Sequence, residues 1–303
     1  MNRHTIVPIL AVVLSATAGA AVDPALLDLV MPDAKVVFGV QISQTLASPF
    51  GQYALTHLLG TEALTRFATA TGFDAQRDLQ EVVVASATPG SPGDGSDALI
   101  LARGAFAPDK FIALAALTGA TVSDYRGISV IQPHANGPRA FAFLDSSTVA
   151  IGDEPLLNGV IDRRANQSTF AGPLRQKVGD ASSTGDAWFA TVTPLVDLIP
   201  AGSSGGFNPA TLLQSVTESW AGLHFDSSGV TLVAEALTHS DAEAKGLAGI
   251  LKLATGMVRG TPAAALQNAQ VTSSGPVTRV TLTVAEQDLE RSFRSAAPRL
   301  AAR

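Results

Sequence analysis

The sequence predicts an α+β protein of two similar half-domains, each a mostly antiparallel sheet with helices packed on one face. Three observations predict it. Short runs alternate apolar with polar side chains, as Val280, Leu282 and Val284 do against Arg279, Thr281 and Thr283, the period of a strand with one wet face. Helix starts of the form Ser-Pro or Thr-Pro stand after strands, at Ser48-Pro49 and Thr193-Pro194. The order strand, helix, strand, strand, helix, hairpin strands, helix can be read twice along the chain, which points to an internal duplication.

The first twenty residues read as a signal peptide. Arg3 and His4 precede an apolar run from Thr5 to Ala20, and Ala18-Gly19-Ala20 is a small-residue cleavage pattern before Ala21. The run is at the short end for a membrane span, so removal is expected, with no span left in the mature chain. The 303-residue sequence holds no Cys, which excludes lipid attachment at a lipobox, disulfides, thiolate nucleophiles and Cys metal sites. Burial of Ala, Val and Leu must therefore carry the fold. The expected location is the periplasm or the medium.

Residues 21–178 form the expected first half. Leu26 to Val30 is a short amphipathic stretch. Val36, Phe38, Val40 and Ile42 then alternate with Lys35, Val37, Gly39 and Gln41 in a strand, and Ser48-Pro49 opens a helix. Glu81 to Ala87 and Ala98 to Phe106 are strands around a Gly/Pro/Ser/Asp loop, 89–97. Pro108 starts a helix to Leu117 with Phe111, Leu114 and Ala115 on one face. Short strands follow at Thr121 to Ser123 and Ile128 to Ile131. The stretch Arg139 to Arg164 supplies a hairpin around Asp145-Ser146-Ser147 and a helix opening at Asp153 with Pro155 in its first turn. That helix puts Leu156, Leu157, Val160 and Ile161 on its packing side.

Residues 179–303 repeat the plan, with the join expected near 172–185. Ala187 to Val192 is a strand, followed by a helical piece through Leu195 and Leu198, a Gly/Ser loop, and a helix from Pro209 to Thr217. Trp220 to Phe225 and Val230 to Leu237 form a hairpin over Asp226-Ser227-Ser228-Gly229. Ser240 and Glu243 have capping-box spacing for a helix to Met257. Strands at Ala269 to Thr272 and Thr278 to Val284 lead to a last helix that Thr283 and Glu286 would cap.

Phe73-Asp74 with Arg77-Asp78-Leu79, Tyr125-Arg126-Gly127 before a strand, and Phe143-Leu144-Asp145 leading to Ile151-Gly152-Asp153 and Ile161-Asp162 carry a family likeness. Over about residues 33–164 the chain resembles a family of uncharacterised exported bacterial proteins, a domain of unknown function. The resemblance implies location and fold; that family offers no catalytic residues to carry across.

Net charge is −6, and loss of Arg3 with the leader makes it −7; 20 scattered Lys and Arg do not make a nucleic-acid surface. His57, His134, His224 and His239 lack metal-ligand spacing, so no metal or cofactor is expected. Gly202-Ser203-Ser204-Gly205-Gly206 fits G-x-S-x-G without the strand and helix that a nucleophile elbow requires. Ser204 is thus the nucleophile candidate only if His224 or His239 reaches it through the fold. Asp94, Ser96 and Asp97 lack the twelve-residue calcium rhythm and read as a solvated loop. Asp153 and Glu154 read as a helix cap, and Asn166-Gln167-Ser168 as an exposed sequon loop. Arg291, Arg294, Arg299 and Arg303 read as a basic helix end in water. The stripes Leu247, Ile250, Leu251 and Ala254, and Leu212, Leu213 and Val216, read as core. The sequence thus predicts an exported soluble binding or interaction protein without catalysis, its partner a protein or an apolar ligand. One alternative is a carrier of a lipid or hydrophobic peptide in a cleft between the halves, and another a serine-type hydrolase.

Overall fold

The alternating runs become twelve strands of one antiparallel sheet in the computed structural model, which describes residues 21–53, 72–88, 98–133, 139–198, 213–257, 268–285 and 287–288. The first half supplies β1 (Val36–Gln41), β2 (Leu79–Ser86), β3 (Ala98–Gly104), β4 (Thr121–Tyr125), β5 (Ile128–Gln132), β6 (Ala140–Asp145) and β7 (Thr148–Gly152). The second supplies β8 (Ala187–Thr191), β9 (Val216–Asp226), β10 (Gly229–Thr238), β11 (Gln270–Ser274) and β12 (Val277–Ala285). Their order in space is β11-β12-β10-β9-β8-β1-β2-β3-β7-β6-β5-β4. Read outward from the central antiparallel pair of β1 and β8, one side runs β1-β2-β3-β7-β6 and the other β8-β9-β10-β12-β11. The two sides share their connections, and the first carries an extra hairpin, β4–β5, on its outer edge.

The α+β class with antiparallel strands is as the periodicity predicts. Two features differ. The halves do not form separate sheets, because β1 and β8 pair along Val36–Val40 and fuse them. Nor do the helices keep to one face. The back face carries α1 (Pro24–Leu27), α5 (Glu154–Ala165) and α6 (Pro173–Thr184), whose Leu26, Leu157, Val160, Leu174 and Val178 join Val37, Leu101 and Ala150 in the main core. The front face carries α4 (Pro108–Thr118), through Phe111 and Ala115 beside Ile131, and α7 (Asp241–Met257), whose Ala244 carbonyl accepts the Thr278 hydroxyl at 3.0 Å. Both faces need cover because every strand of the centre is apolar on both sides: Val37 and Val83 point back, while Phe38, Val84 and Ile100 point forward.

Local chemistry sets the element ends. Ser48 Oγ accepts the Gly51 N–H at 2.9 Å and starts α2 (49–53), and Asp153 Oδ1 accepts from Leu156 N at 3.1 Å to start α5. Arg126 and Gly127, both at positive φ (53° and 80°), make the two-residue turn that twists with the β4–β5 hairpin. At α7 the Glu243 N–H reaches Ser240 Oγ (3.3 Å), while its carboxylate accepts from His239 N (3.0 Å), one residue before the expected cap.

Three expectations are corrected. The 178/179 division and the 172–185 join fall on α6, a continuous helix with Val178 and Ala181 fully buried. Since α6 leads into β8 as α1 leads into β1, the connection ahead of it, 166–172, is the natural join. Val216 and Thr217 begin β9 rather than ending a helix, and Thr283 lies within β12 rather than at a cap.

The chain entering the sheet at Asp23 is tethered by charge. Asp23 Oδ2 accepts from Arg103 Nε (2.9 Å) and Nη2 (2.5 Å), and the Asp23 N–H donates to Glu81 Oε2 at 3.1 Å. Burial of Glu81, 4% exposed, pushes its carboxyl above the ordinary glutamate range, and the Asp23 N–H only partly opposes this. The folded state therefore holds a proton on Glu81 that the unfolded chain releases above its ordinary pKa. This contribution to stability is complete below that pKa and is lost as pH rises through the raised value. Glu81→Gln is expected to flatten that loss: melting temperatures followed from pH 4 to pH 7 should fall less in the variant than in the parent chain.

Candidate apolar ligand site

The front face of β2, β3, β7 and β6 is the floor of a cavity of about 370 Å³. Strand alternation puts Val82, Ala102, Val149 and Phe143 in one cross-strand row, and Ile100, Ile151 and Phe141 in the next. Leu79 closes one end, and Phe73, Phe106 and Phe111 stand around it. The rings contact one another edge to face or at a tilt. Phe111 and Phe143 have centroids 4.8 Å apart, Phe106 and Phe143 5.8 Å, and Phe141 and Phe143 5.8 Å at 87°; Phe73 stacks on Phe106 at 5.6 Å. Such arrangements satisfy the ring quadrupoles and hold the walls in place.

The cavity exists because the two halves are not quite alike. In the second half α7 packs on β11, β12 and β10. The equivalent strands of the first half are β6, β7 and β3, yet α4 packs on β4 of the extra hairpin. Gly119, in the left-handed region at φ 75°, ends α4 and turns the chain straight into β4, so the helix sits outward over the inserted strands. Among the described residues, no helix covers this floor as α7 covers its counterpart. The turn bearing Phe73 is fixed from the other side by α3 (Ala75–Asp78): Arg77 Nη2 donates to the Gly72 carbonyl at 3.0 Å while Nε and Nη2 grip Asp78 at 2.6 Å each. The hydrogen bonds from Arg77 hold the Asp78 carboxyl below the usual range.

Every described lining residue is apolar, and the floor strands each lie between two hydrogen-bonded neighbours, so their backbone groups are engaged in the sheet. These described side chains carry no group that transfers a proton. This candidate cavity lies inside the first half, not in the expected position between the halves. A cavity at the join, of about 250 Å³ between Pro32, Phe170 and Pro173, includes the charged residues Asp33 and Lys35.

The residues singled out for chemistry do not gather there. His224 Nδ1 lies 2.9 Å from Oδ2 of Asp186, a carboxylate 1% exposed that also accepts the Phe225 N–H at 2.9 Å. This orients an imidazole as an Asp–His pair does, but on the back face. Ser204, its proposed nucleophile, lies outside the described residues, as do His57, His134, Asp94, Ser96, Asp97, Leu212, Arg291, Arg294, Arg299 and Arg303. His239 Nδ1 sits 3.2 Å from Glu243 Oε2 at an exposed helix start. Asp153 is a cap, Glu154 is exposed in the first turn, and Asn166 and Gln167 are exposed at the end of α5. Leu247 is buried core, while Ile250 stands 44% exposed on α7. Among the described residues there is no group of three His, Asp or Glu placed to hold a metal, and no helix long and apolar enough to cross a membrane.

The sequence pattern missed the five phenylalanines of the cavity because each reads as ordinary core. The available signal was their density: five of the thirteen Phe in the chain fall between positions 73 and 143 at this one place.

Comparison with solved structures bears on the architecture. The fold resembles that of TP0453. Crystal form IV of TP0453 aligns with a TM-score of 0.56 at 10% identity, covering 90% of this chain and 98% of that one. Form I aligns at 0.50 and 11% identity, covering 91% and 98%. At that identity the likeness is one of fold. No protein-family model and no curated protein sequence matches the chain.

Proposed function

We propose that this is an exported binding protein that holds an apolar molecule in the first-half cavity and does no chemistry on it. The observation that carries the reading is the volume of about 370 Å³ whose described lining is apolar throughout, within the usual range for small-molecule sites. A ligand that covers apolar surface of this extent on a sheet face gains the hydrophobic term on binding. Export, to the periplasm or the medium, is supported by the leader-like pattern of residues 1–20. The apolar chemistry of the described lining favours holding a ligand over transforming it.

Titration with N-phenylnaphthylamine, which fluoresces when it leaves water, tests the site. One saturable site per chain with a blue-shifted emission is expected; a response that does not saturate would remove the proposal. The non-catalytic half has its own control, because His224–Asp186 is a partial hydrolytic constellation. Fluorophosphonate should leave the protein unlabelled, and labelling that disappears in Ser204→Ala would establish a serine hydrolase instead.

A further inference from the structure

The shape of the cavity narrows the ligand class, on the assumption that the apolar site just proposed is the binding site. Its floor spans the four neighbouring strands β2, β3, β7 and β6, three spacings or roughly 14 Å, and two side-chain rows along each strand, roughly 7 Å. The space runs along that floor, and at about 30 Å³ per non-hydrogen atom its volume of about 370 Å³ holds about a dozen of them. Nothing in its described lining donates or accepts a hydrogen bond. The side chains are Phe, Leu, Val, Ile and Ala, and the floor backbone is paired within the ladder. A polar function laid against this lining would be stripped of water with no partner in return.

We infer that the site takes a single hydrocarbon chain of about twelve atoms, methyl end first, and leaves any polar head of the ligand outside. The chemistry is the same whether the chain belongs to a free fatty acid or to the acyl group of a larger lipid.

Displacement of N-phenylnaphthylamine by three soluble chains tests this. Dodecanoate should displace the probe. α-Hydroxydodecanoate, whose added hydroxyl sits beside the head, should match it within a factor of about two. ω-Hydroxydodecanoate, which differs only at the inner end, should be roughly 10- to 100-fold poorer, the discrimination an apolar pocket makes against a hydroxyl. Equal potency of the ω-hydroxy compound, an equal penalty for the α-hydroxy compound, or no displacement by dodecanoate would each overturn the methyl-first assignment while the probe still reports an apolar site. Failure of the probe to bind at all would instead strike the site itself. Dodecanoyl lysophosphatidylcholine against dodecanoate then separates the sources: preference for the first indicates a lipid acyl group, preference for the second a free acid.

Discussion

Gly39→Val should destabilise the protein by about 3–5 kcal/mol, the scale on which a buried large aromatic loses its site. Gly39 in β1 pairs directly with Trp188 in β8, the two strands that join the halves. The Trp188 indole lies against the glycine, and a Cβ there would fall far inside contact distance of its Cζ2 and Cε2. Trp188 is itself 4% exposed and packs in the main core with Val37, Val178 and Trp220, so it has no free space to move into. A glycine inside a strand weakens it in general; here it is the position where a neighbour must come close. The loss would be a large share of the total stability of an ordinary domain. Urea unfolding followed by tryptophan fluorescence measures it. Gly39→Ala and Trp188→Leu, singly and together, form a cycle in which the double variant should recover at least about 1 kcal/mol of the summed losses. Strict additivity would mean that the ring and the glycine are not the coupled pair.

That pair also shows where sequence reading stops. Val36 to Ile42 is legible as a strand from its own alternation, and Ser48, Asp153 and Ser240 are legible as helix starts, because these are decisions made within a few residues. Gly39 beneath Trp188 is not, since 149 positions separate them and only the pairing of β1 with β8 brings them together. The same limit hid the fusion into one sheet and the two-sided placement of helices. α6 was hidden for another reason: its stripe of Leu174, Val178 and Ala181 is interrupted by Gly179, Asp180 and three successive hydroxyl residues, so composition imitates a linker while spacing encodes a helix. The cavity is the extreme case. Phe73, Phe106, Phe111, Phe141 and Phe143 each sit in a locally unremarked apolar position, and the vacancy among them depends on where α4 lands relative to an inserted hairpin.

Ala102→Trp should abolish probe binding, by about 100-fold or more, without unfolding the chain. Ala102 is the smallest side chain of the floor and stands between Val82 and Val149 in the row that ends at Phe143. Its Cβ points forward into the cavity, so a larger side chain grows into open volume rather than into the packed back face, where Leu101 and Ala150 are fully buried. Filling a void restores contacts that the lining lacks, so the urea midpoint should hold or rise, opposite in sign to the usual core overpacking. The indole would occupy the layer into which a chain must slide, and no second path along a floor about 7 Å wide remains beside it. Ala102→Val gives the graded control, with a smaller loss of affinity in the same direction. Unimpaired N-phenylnaphthylamine binding by a stably folded Ala102→Trp protein would place the ligand elsewhere. Loss of binding together with a collapsed urea midpoint would mean that β3 has no spare room on its front face, against the open volume above Ala102.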